Sequence, residues 1–272
     1  MTDNPAQKIG TVHQTAKVHP TAIVHESAII GKNVEIGPYT IIGARVEIGE
    51  NCWIAPHVVV NGPTKMGKGN KIFQFASVGE DCQDLKYNGE ETFLEIGDNN
   101  VFRESCTIHR GTAQDNGTTK IGNNNLLMAY VHVAHDCILG DNIILSNNAT
   151  LAGHTKLANN VIIGGLSALH QFTRVGEFAM IGGCSAVNKD IPPYFMASGN
   201  YVQAQGINSV GLKRRGFSSA TIMEIKRAYK ALCRDGNSFE EAKNIIASKV
   251  ETCPELKVLS DFLNEESRGI VR

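Results

Sequence analysis

The sequence predicts an all-β fold, a narrow coil of stacked short strands, followed by a small α-helical domain. Three observations carry this. First, every sixth residue from Ile121 is aliphatic: Ile121, Leu127, Val133, Leu139, Leu145, Leu151, Leu157, Ile163, Leu169, Val175, Ile181 and Val187. A period of six fits neither an α-helix nor a simple alternating strand. Second, four positions further on stands a mostly small residue, as at Asn125, Cys137, Ala149, Thr155, Ser167, Ala179 and Ser185. A unit that cannot bury its own apolar face must stack on copies of itself, and a large inward residue followed by a small one suits the corners of a three-sided coil. Third, the period dies at Asp190-Ile191-Pro192-Pro193, beyond which apolar spacing becomes helical.

The hexad frame begins early, at Val12, and runs in register through Val18, Val24, Ile30, Ile36, Ile42, Ile48, Ile54, Val60, Met66, Ile72 and Val78. His13, His19 and His25 each follow an aliphatic position and are expected to face out. Asp84 and Glu90 then stand where core residues were due, and the frame returns at Ile96, so residues 79–95 read as a projecting loop. Loops of that length in a compact repeat are uncommon unless functional. Ile96, Phe102 and Ile108 resume the frame, Gln114 and Lys120 miss it, and Ile121 starts a frame shifted by one. Residues 109–120, with Gly111 and Asp115-Asn116-Gly117, form a second excursion. Glycine often follows the aliphatic position, as at Gly140, Gly164, Gly176 and Gly182, where a bend needs unusual dihedrals or close backbone approach.

In this pattern the chain resembles the hexapeptide-repeat family, whose fold is a left-handed parallel β-helix with three hexads per coil. That hand is an exception to the usual crossover rule and rests on the resemblance. The hexads would make about nine coils over residues 1–193. Residues 194–272 then comprise an irregular linker, 194–217, and a helical domain. Ser218 or Ser219 can cap a helix carrying Ile222, Ile225, Ala228, Tyr229 and Leu232, ended by Gly236. Ser238 with Glu241 is a capping-box signature opening a second helix, and Pro254 starts a third. These helices are expected to cap the open coil, since an exposed sheet edge invites aggregation.

Composition narrows the function classes. The 272 residues carry 42% hydrophobic content and a net charge of −1, which argues against a strongly basic nucleic-acid binder. No apolar run is long enough to span a membrane, and the opening MTDNPAQKIG has neither a basic start nor a hydrophobic region. A cytoplasmic protein without membrane insertion is expected. Seven cysteines with no CxxC pair argue against a disulfide framework. Cys52, Cys106 and Cys137 fall on the small inward site and read as buried packing residues.

With three hexads per coil, residues eighteen apart lie above one another. His135, Gly153 and Gln171 should form one vertical column, with His132 beside it and His154 over Asp136. A histidine with a neighbouring carboxylate suits general-base work, because its ordinary pKa lets it accept a proton at cellular pH. Gly153 has no side chain to cover its N–H, which could meet an oxyanion. The alternative is a solvated polar face; on either reading His135 is expected to be exposed. The run Lys213-Arg214-Arg215 supplies positive charge suited to phosphate, and Lys86 could add to it.

Together, Ile108-His109-Arg110-Gly111, HVAHDC at 132–137, LAGH at 151–154, HQF at 170–172, QDLKY at 83–87, GGCS at 182–185 and LKRRGFS at 212–218 resemble the UDP-N-acetylglucosamine acyltransferases that begin lipid A biosynthesis. The similarity runs from His19-Pro20-Thr21-Ala22-Ile23-Val24 to the C-terminal helices. It implies transfer of a 3-hydroxyacyl group from acyl carrier protein to the 3-hydroxyl of UDP-N-acetylglucosamine, by a homotrimer with sites between subunits and no metal or cofactor. By motif, His135 would be the general base, Asp136 its orienter and Gly153 N–H the oxyanion donor. Asp84, Lys86, His132, His154, His170 and Gln171 would contact the sugar nucleotide; Asn208, Arg214 and Arg215 the nucleotide and its phosphates. Gly183 matches the acyl-length ruler. The chain departs from the pattern in one place, carrying Val210 where family members commonly have Glu.

Three other readings compete. The related N-acyltransferase of the same pathway should carry an additional N-terminal domain, and here the repeat begins at Val12. Coenzyme A-dependent acetyltransferases of this fold lack counterparts to QDLKY and LKRRG. A β-helical zinc carbonic anhydrase-like lyase would use three histidines, which His132, His135 and His154 could mimic. Gly153 and Gln171 in line with His135 fit acyl transfer better.

Overall fold

The structure, a computed structural model, describes residues 10–272; most of the N-terminal stretch read above for targeting features lies outside them. The fold class is the expected one, a parallel β-helix with C-terminal helices. By internal contacts the chain divides into two compact units, one ending at Asp141 and the other beginning at Asn142.

In the first unit short strands take turns among three parallel sheets. Val12 pairs with Ile30, Ile30 with Ile48 and Ile48 with Met66, eighteen residues apart each time. The hexad residues point inward: Ile42, Val60, Ile72, Val78, Phe102, Ile108 and Val133 are fully buried. Cys52, Cys106 and Cys137 are buried too, and burial pushes the Cys106 thiol up to about 12. His13, His19 and His25 face out, each Nδ1 within 3.0 Å of the hydroxyl two residues on.

The register explains both breaks in the frame. Met66 pairs with Ile96, thirty residues on rather than eighteen, so the first insertion amounts to two whole hexads and the frame resumes in phase. Ile96 pairs with Ile121, twenty-five residues on, and the surplus of seven shifts it by one. Both loops are shorter than the sequence suggests, because strands Ser77–Glu80, Phe93–Ile96, Thr107–His109 and Thr118–Ile121 extend into the segments read as excursions. They leave 81–92 and 110–117.

Corners are turned by left-handed backbone three residues after the aliphatic position. In the first unit Asn33, Tyr39, Arg45, Asn51, His57, Asn124, Tyr130 and Asp136 take φ of 55–63°; in the second, His154, Asn160, Leu166, Phe172, Phe178 and Cys184 take 56–64°. Asparagine adopts this region readily, and stacked sheets must impose it on Leu or Phe. The glycines after the aliphatic positions serve close approach instead. A Cβ on Gly164 would stand 2.4 Å from the Gly183 nitrogen, and one on Gly176 2.4 Å from Pro193 Cδ.

In the second unit the parallel pairing continues, Leu145 with Ile163 and Ile163 with Ile181, Leu151 with Leu169 and Leu169 with Val187, Leu157 with Val175. The segment read as an irregular linker is mostly ordered. Phe195–Ser198 pairs in parallel with Met180–Ile181 and antiparallel with Gln203–Ile207. Its hydrogen bonds come from this hairpin, for which a six-residue period gives no signal. Four helices follow: α1, Ser209–Arg214; α2, Ser219–Cys233, capped by Ser218; α3, Phe239–Lys249, with the expected Ser238/Glu241 capping box; and α4, Leu256–Asn264. Ile225, Leu232, Ala242, Ile246, Leu256, Leu259 and Leu263 form their core. The hairpin is what lies on the last coil's strand, and α2 packs on it through Tyr229, edge-on to Phe195 at 5.1 Å. Among the described residues no helix is long and apolar enough to cross a membrane.

The C-terminal tail is tied to Asp190. Asp190 N–H donates to Gly269 O, Val271 N–H donates to Asp190 O, and Ser267 Oγ donates to the Asp190 carboxylate at 2.9 Å. That carboxylate also accepts Arg174 Nε at 2.8 Å and Arg174 N–H at 2.9 Å, while the guanidinium lies over Phe262 and reaches Glu265.

Candidate active site

In the first unit the predicted residues lie on and after strands of one sheet. His132 stands outward on strand His132–Val133, and the corner that follows carries His135 and Asp136. His135 Nδ1 lies 2.9 Å from Asp136 Oδ2. The His135 side chain is 15% exposed and that of Asp136 0%, so the expectation of an exposed histidine is corrected: the ring is held against a buried carboxylate, a contact periodicity cannot show. The carboxylate also accepts Thr112 N–H, at 3.1 and 3.0 Å to its two oxygens, and Thr112 Oγ1 at 2.7 Å. Asp136 N–H donates to Thr119 Oγ1 at 2.8 Å.

His132 Nδ1 is 2.8 Å from Thr107 Oγ1, and its ring meets the buried His109 edge-on, centroids 5.0 Å apart. Burial, then the charge of His132, pushes the His109 pKa down to about 4; burial and then His135 lower that of His132. Burial disfavours the charged imidazolium, so this pair presents neutral rings at neutral pH.

Asp84 and Lys86 ride on the 81–92 loop. Asp84 Oδ1 accepts Lys86 N–H at 2.9 Å, and Tyr87 N–H donates to Asp84 O at 3.0 Å, a turn built by the aspartate on its own backbone. Lys86 is exposed. The buried Arg110 holds the loop's base through Gly79 O and the Asp81 carboxylate, with Tyr87 Oη at 3.4 Å. Burial, then the charges of Asp84 and Asp136 among others, raise the Cys82 pKa.

The second unit places its predicted residues in three groups. Gly153 and His154 sit against 170–172: Phe172 N–H donates to Gly153 O at 3.1 Å, and the His154 and Phe172 rings stack at 4.3 Å. Arg268 from the tail donates to Gln171 O at 2.9 Å and lies 3.3 Å from His170 Nδ1. The second group is Asn208 and Arg215. Asn208 is buried and accepts Gly211 N–H at 3.1 Å as the cap of α1, while its amide donates to Phe178 O at 3.0 Å; its side chain therefore has a structural task a motif does not disclose. Arg215 donates to Asn160 Oδ1 and lies over Phe178, whereas Arg214 is exposed on the last turn of α1. Val210 is 62% exposed in the first turn. The third is Gly183, exposed and away from left-handed backbone, where an added Cβ would meet Gly165 O at 3.2 Å.

His109, Thr112 and Arg268 join the site only in the structure. The quoted motif at 108–111 held a signal for the first. Nothing in the local pattern marks the other two, since their contacts span twenty-four and ninety-seven residues.

Stacked hexad coils with outward histidines and a buried histidine–aspartate pair define the class, a hexapeptide-repeat transferase. Residues 118–153 match the bacterial transferase hexapeptide family, and residues 190–271 match the second domain of UDP-N-acetylglucosamine O-acyltransferase. The chain is 86% identical over 222 residues to the acyl-[acyl-carrier-protein]–UDP-N-acetylglucosamine O-acyltransferase of Psychromonas ingrahamii, covering 82% of this chain and 85% of that one. To the Aeromonas salmonicida enzyme of the same name it is 61% identical, covering 88% and 91%. It is similar to the solved structure of LpxA from Acinetobacter baumannii at a TM-score of 0.87 and 49% identity, covering 97% of this chain and all of that one. The chain belongs to the acyl-[acyl-carrier-protein]–UDP-N-acetylglucosamine O-acyltransferase family.

Proposed function

We propose that the protein transfers a 3-hydroxyacyl chain from acyl carrier protein to the 3-hydroxyl of UDP-N-acetylglucosamine, the first step of lipid A biosynthesis, as a cytoplasmic homotrimer. The observation that carries the mechanism is the His135–Asp136 pair, a ring nitrogen 2.9 Å from a fully buried carboxylate. With Nδ1–H donated to Asp136, Nε2 presents its lone pair. His135 takes the proton of the sugar hydroxyl as its oxygen attacks the thioester carbonyl. The developing oxyanion is held by Gly153 N–H. The tetrahedral intermediate collapses, the C–S bond breaks, and the imidazolium returns its proton to the departing thiolate. Asp84, Lys86, His132, His154, His170 and Gln171 bind the sugar nucleotide, Asn208, Arg214 and Arg215 its nucleotide end, and Gly183 bounds the acyl chain.

The test is an acyl-transfer assay with UDP-N-acetylglucosamine and acyl carrier proteins loaded with 3-hydroxyacyl chains of several lengths. Transfer that requires the carrier protein and is not supported by acyl-coenzyme A supports the proposal. Carbonic anhydrase activity with stoichiometric zinc and no acyl transfer overturns it. Sedimentation alongside activity tests the trimer, and an active monomer at high dilution refutes it.

A further inference from the structure

Thr112 lies in the 110–117 loop, buried at 1% exposure. It reaches Asp136 twice, with its backbone N–H across both carboxylate oxygens and with its hydroxyl 2.7 Å from Oδ2, the oxygen that also faces His135 Nδ1. A backbone N–H can only donate, and Thr112 Oγ1–H donates alongside it, so the carboxylate accepts from that side. A carboxylate is free to turn about its Cβ–Cγ bond. Here the N–H across both oxygens and the hydroxyl on one of them fix its plane, while Thr119 Oγ1 anchors the backbone of the left-handed Asp136.

We infer that Thr112 is a positioning residue for proton transfer. Its hydroxyl orients the Asp136 carboxylate so that Oδ2 receives His135 Nδ1–H, which keeps the proton off Nε2, the atom that must accept from the sugar. The inference rests on the reading of His135 as the base. Without the hydroxyl the carboxylate loses a charge-assisted donor in a buried site, its plane loosens, and the ring can adopt the tautomer with hydrogen on Nε2, which cannot act as base.

The experiment compares Thr112→Val, close in volume but without the hydroxyl, with Thr112→Ser, which restores it, and with His135→Ala. For Thr112→Val the expected result is a fall in kcat of about ten- to a hundredfold, the range set by one hydrogen bond to a charged group, with KM for UDP-N-acetylglucosamine within about threefold. Thr112→Ser should recover most of it. Nitrogen-15 NMR of labelled histidine should show His135 protonated at Nδ1 in the wild type and serine variant, and a mixture of tautomers in the valine variant. Circular dichroism and thermal melting establish that each is folded. If valine fails to fold, the serine variant and the wild-type tautomer decide: low kcat in folded serine, or protonation at Nε2 in the wild type, overturns the inference. A folded Thr112→Val at wild-type kcat, with His135→Ala inactive, overturns the role of Thr112 alone. An active His135→Ala removes the base and the inference with it.

Discussion

Replacing His135 by alanine should separate chemistry from folding. The side chain is 15% exposed and sits 2.9 Å from a carboxylate that Thr112 continues to hold after truncation. Asp136 therefore loses one donor without being stranded, at a cost of about 1.5–3 kcal/mol for a hydrogen bond to a charged group. For a chain of this size that is a fall in Tm of roughly 2–4 °C per kcal/mol, so the variant should stay folded at assay temperature. The catalytic loss should be far larger. General-base removal typically lowers rates by about 10²–10⁴-fold, equivalent to about 2.7–5.5 kcal/mol of barrier at 1.36 kcal/mol per decade. Initial rates against both substrates, with product quantified by mass spectrometry, should show the loss in kcat and little change in KM. Turnover within tenfold of wild type, in a variant with unchanged circular dichroism, would refute the assignment.

Three further perturbations follow from the same geometry. Gly183→Met should shift preference toward shorter acyl chains, because the position is exposed and not left-handed, its added Cβ pressing only on Gly165 O at 3.2 Å, and each excluded methylene is worth about 0.8 kcal/mol; competition between short- and long-chain donors reads the ratio of kcat/KM, and equal slowing of both would place the ruler elsewhere. Asp190→Ala should destabilise by about 1.5–3 kcal/mol, the cost of losing hydrogen bonds to a charged group, since Glu265 still pairs Arg174 while Ser267 and the Arg174 N–H and Nε lose their acceptor; denaturant titration tests this, and a loss below about 0.5 kcal/mol contradicts it. Stability should also decline between about pH 6.5 and pH 4: His109 is pushed down to about 4 when folded, so the unfolded chain binds the proton first, and the contribution, about 3 kcal/mol, is present above the unfolded pKa and lost as pH falls through the folded one. His109→Phe should flatten that part of the pH–stability curve, and an unchanged slope would assign the loss to other groups.

The hexad period alone determined the β-helix, because aliphatic residues every six positions can be buried together only if the chain turns a corner between them and stacks. The same arithmetic marked the loops, the inward cysteines and the His135 position, and the serine caps of α2 and α3 were legible because capping is local chemistry. The sequence could not disclose what depends on residues far apart in the chain. The loop ends were hidden because strand pairing, not composition, extends Ser77–Glu80 and Phe93–Ile96. The hairpin at 195–207 lacked a period of its own, and the structural duty of Asn208 appears only when α1 meets Phe178 O. The repeat alone predicts an exposed His135, because an outward position in a repeat faces solvent unless something covers it. Only the fold brings Thr112 across twenty-four residues onto Asp136 and buries the carboxylate that orients the ring. Periodicity specifies which way a side chain points; what it meets there is decided by insertions and the tail, whose contacts carry no repeat.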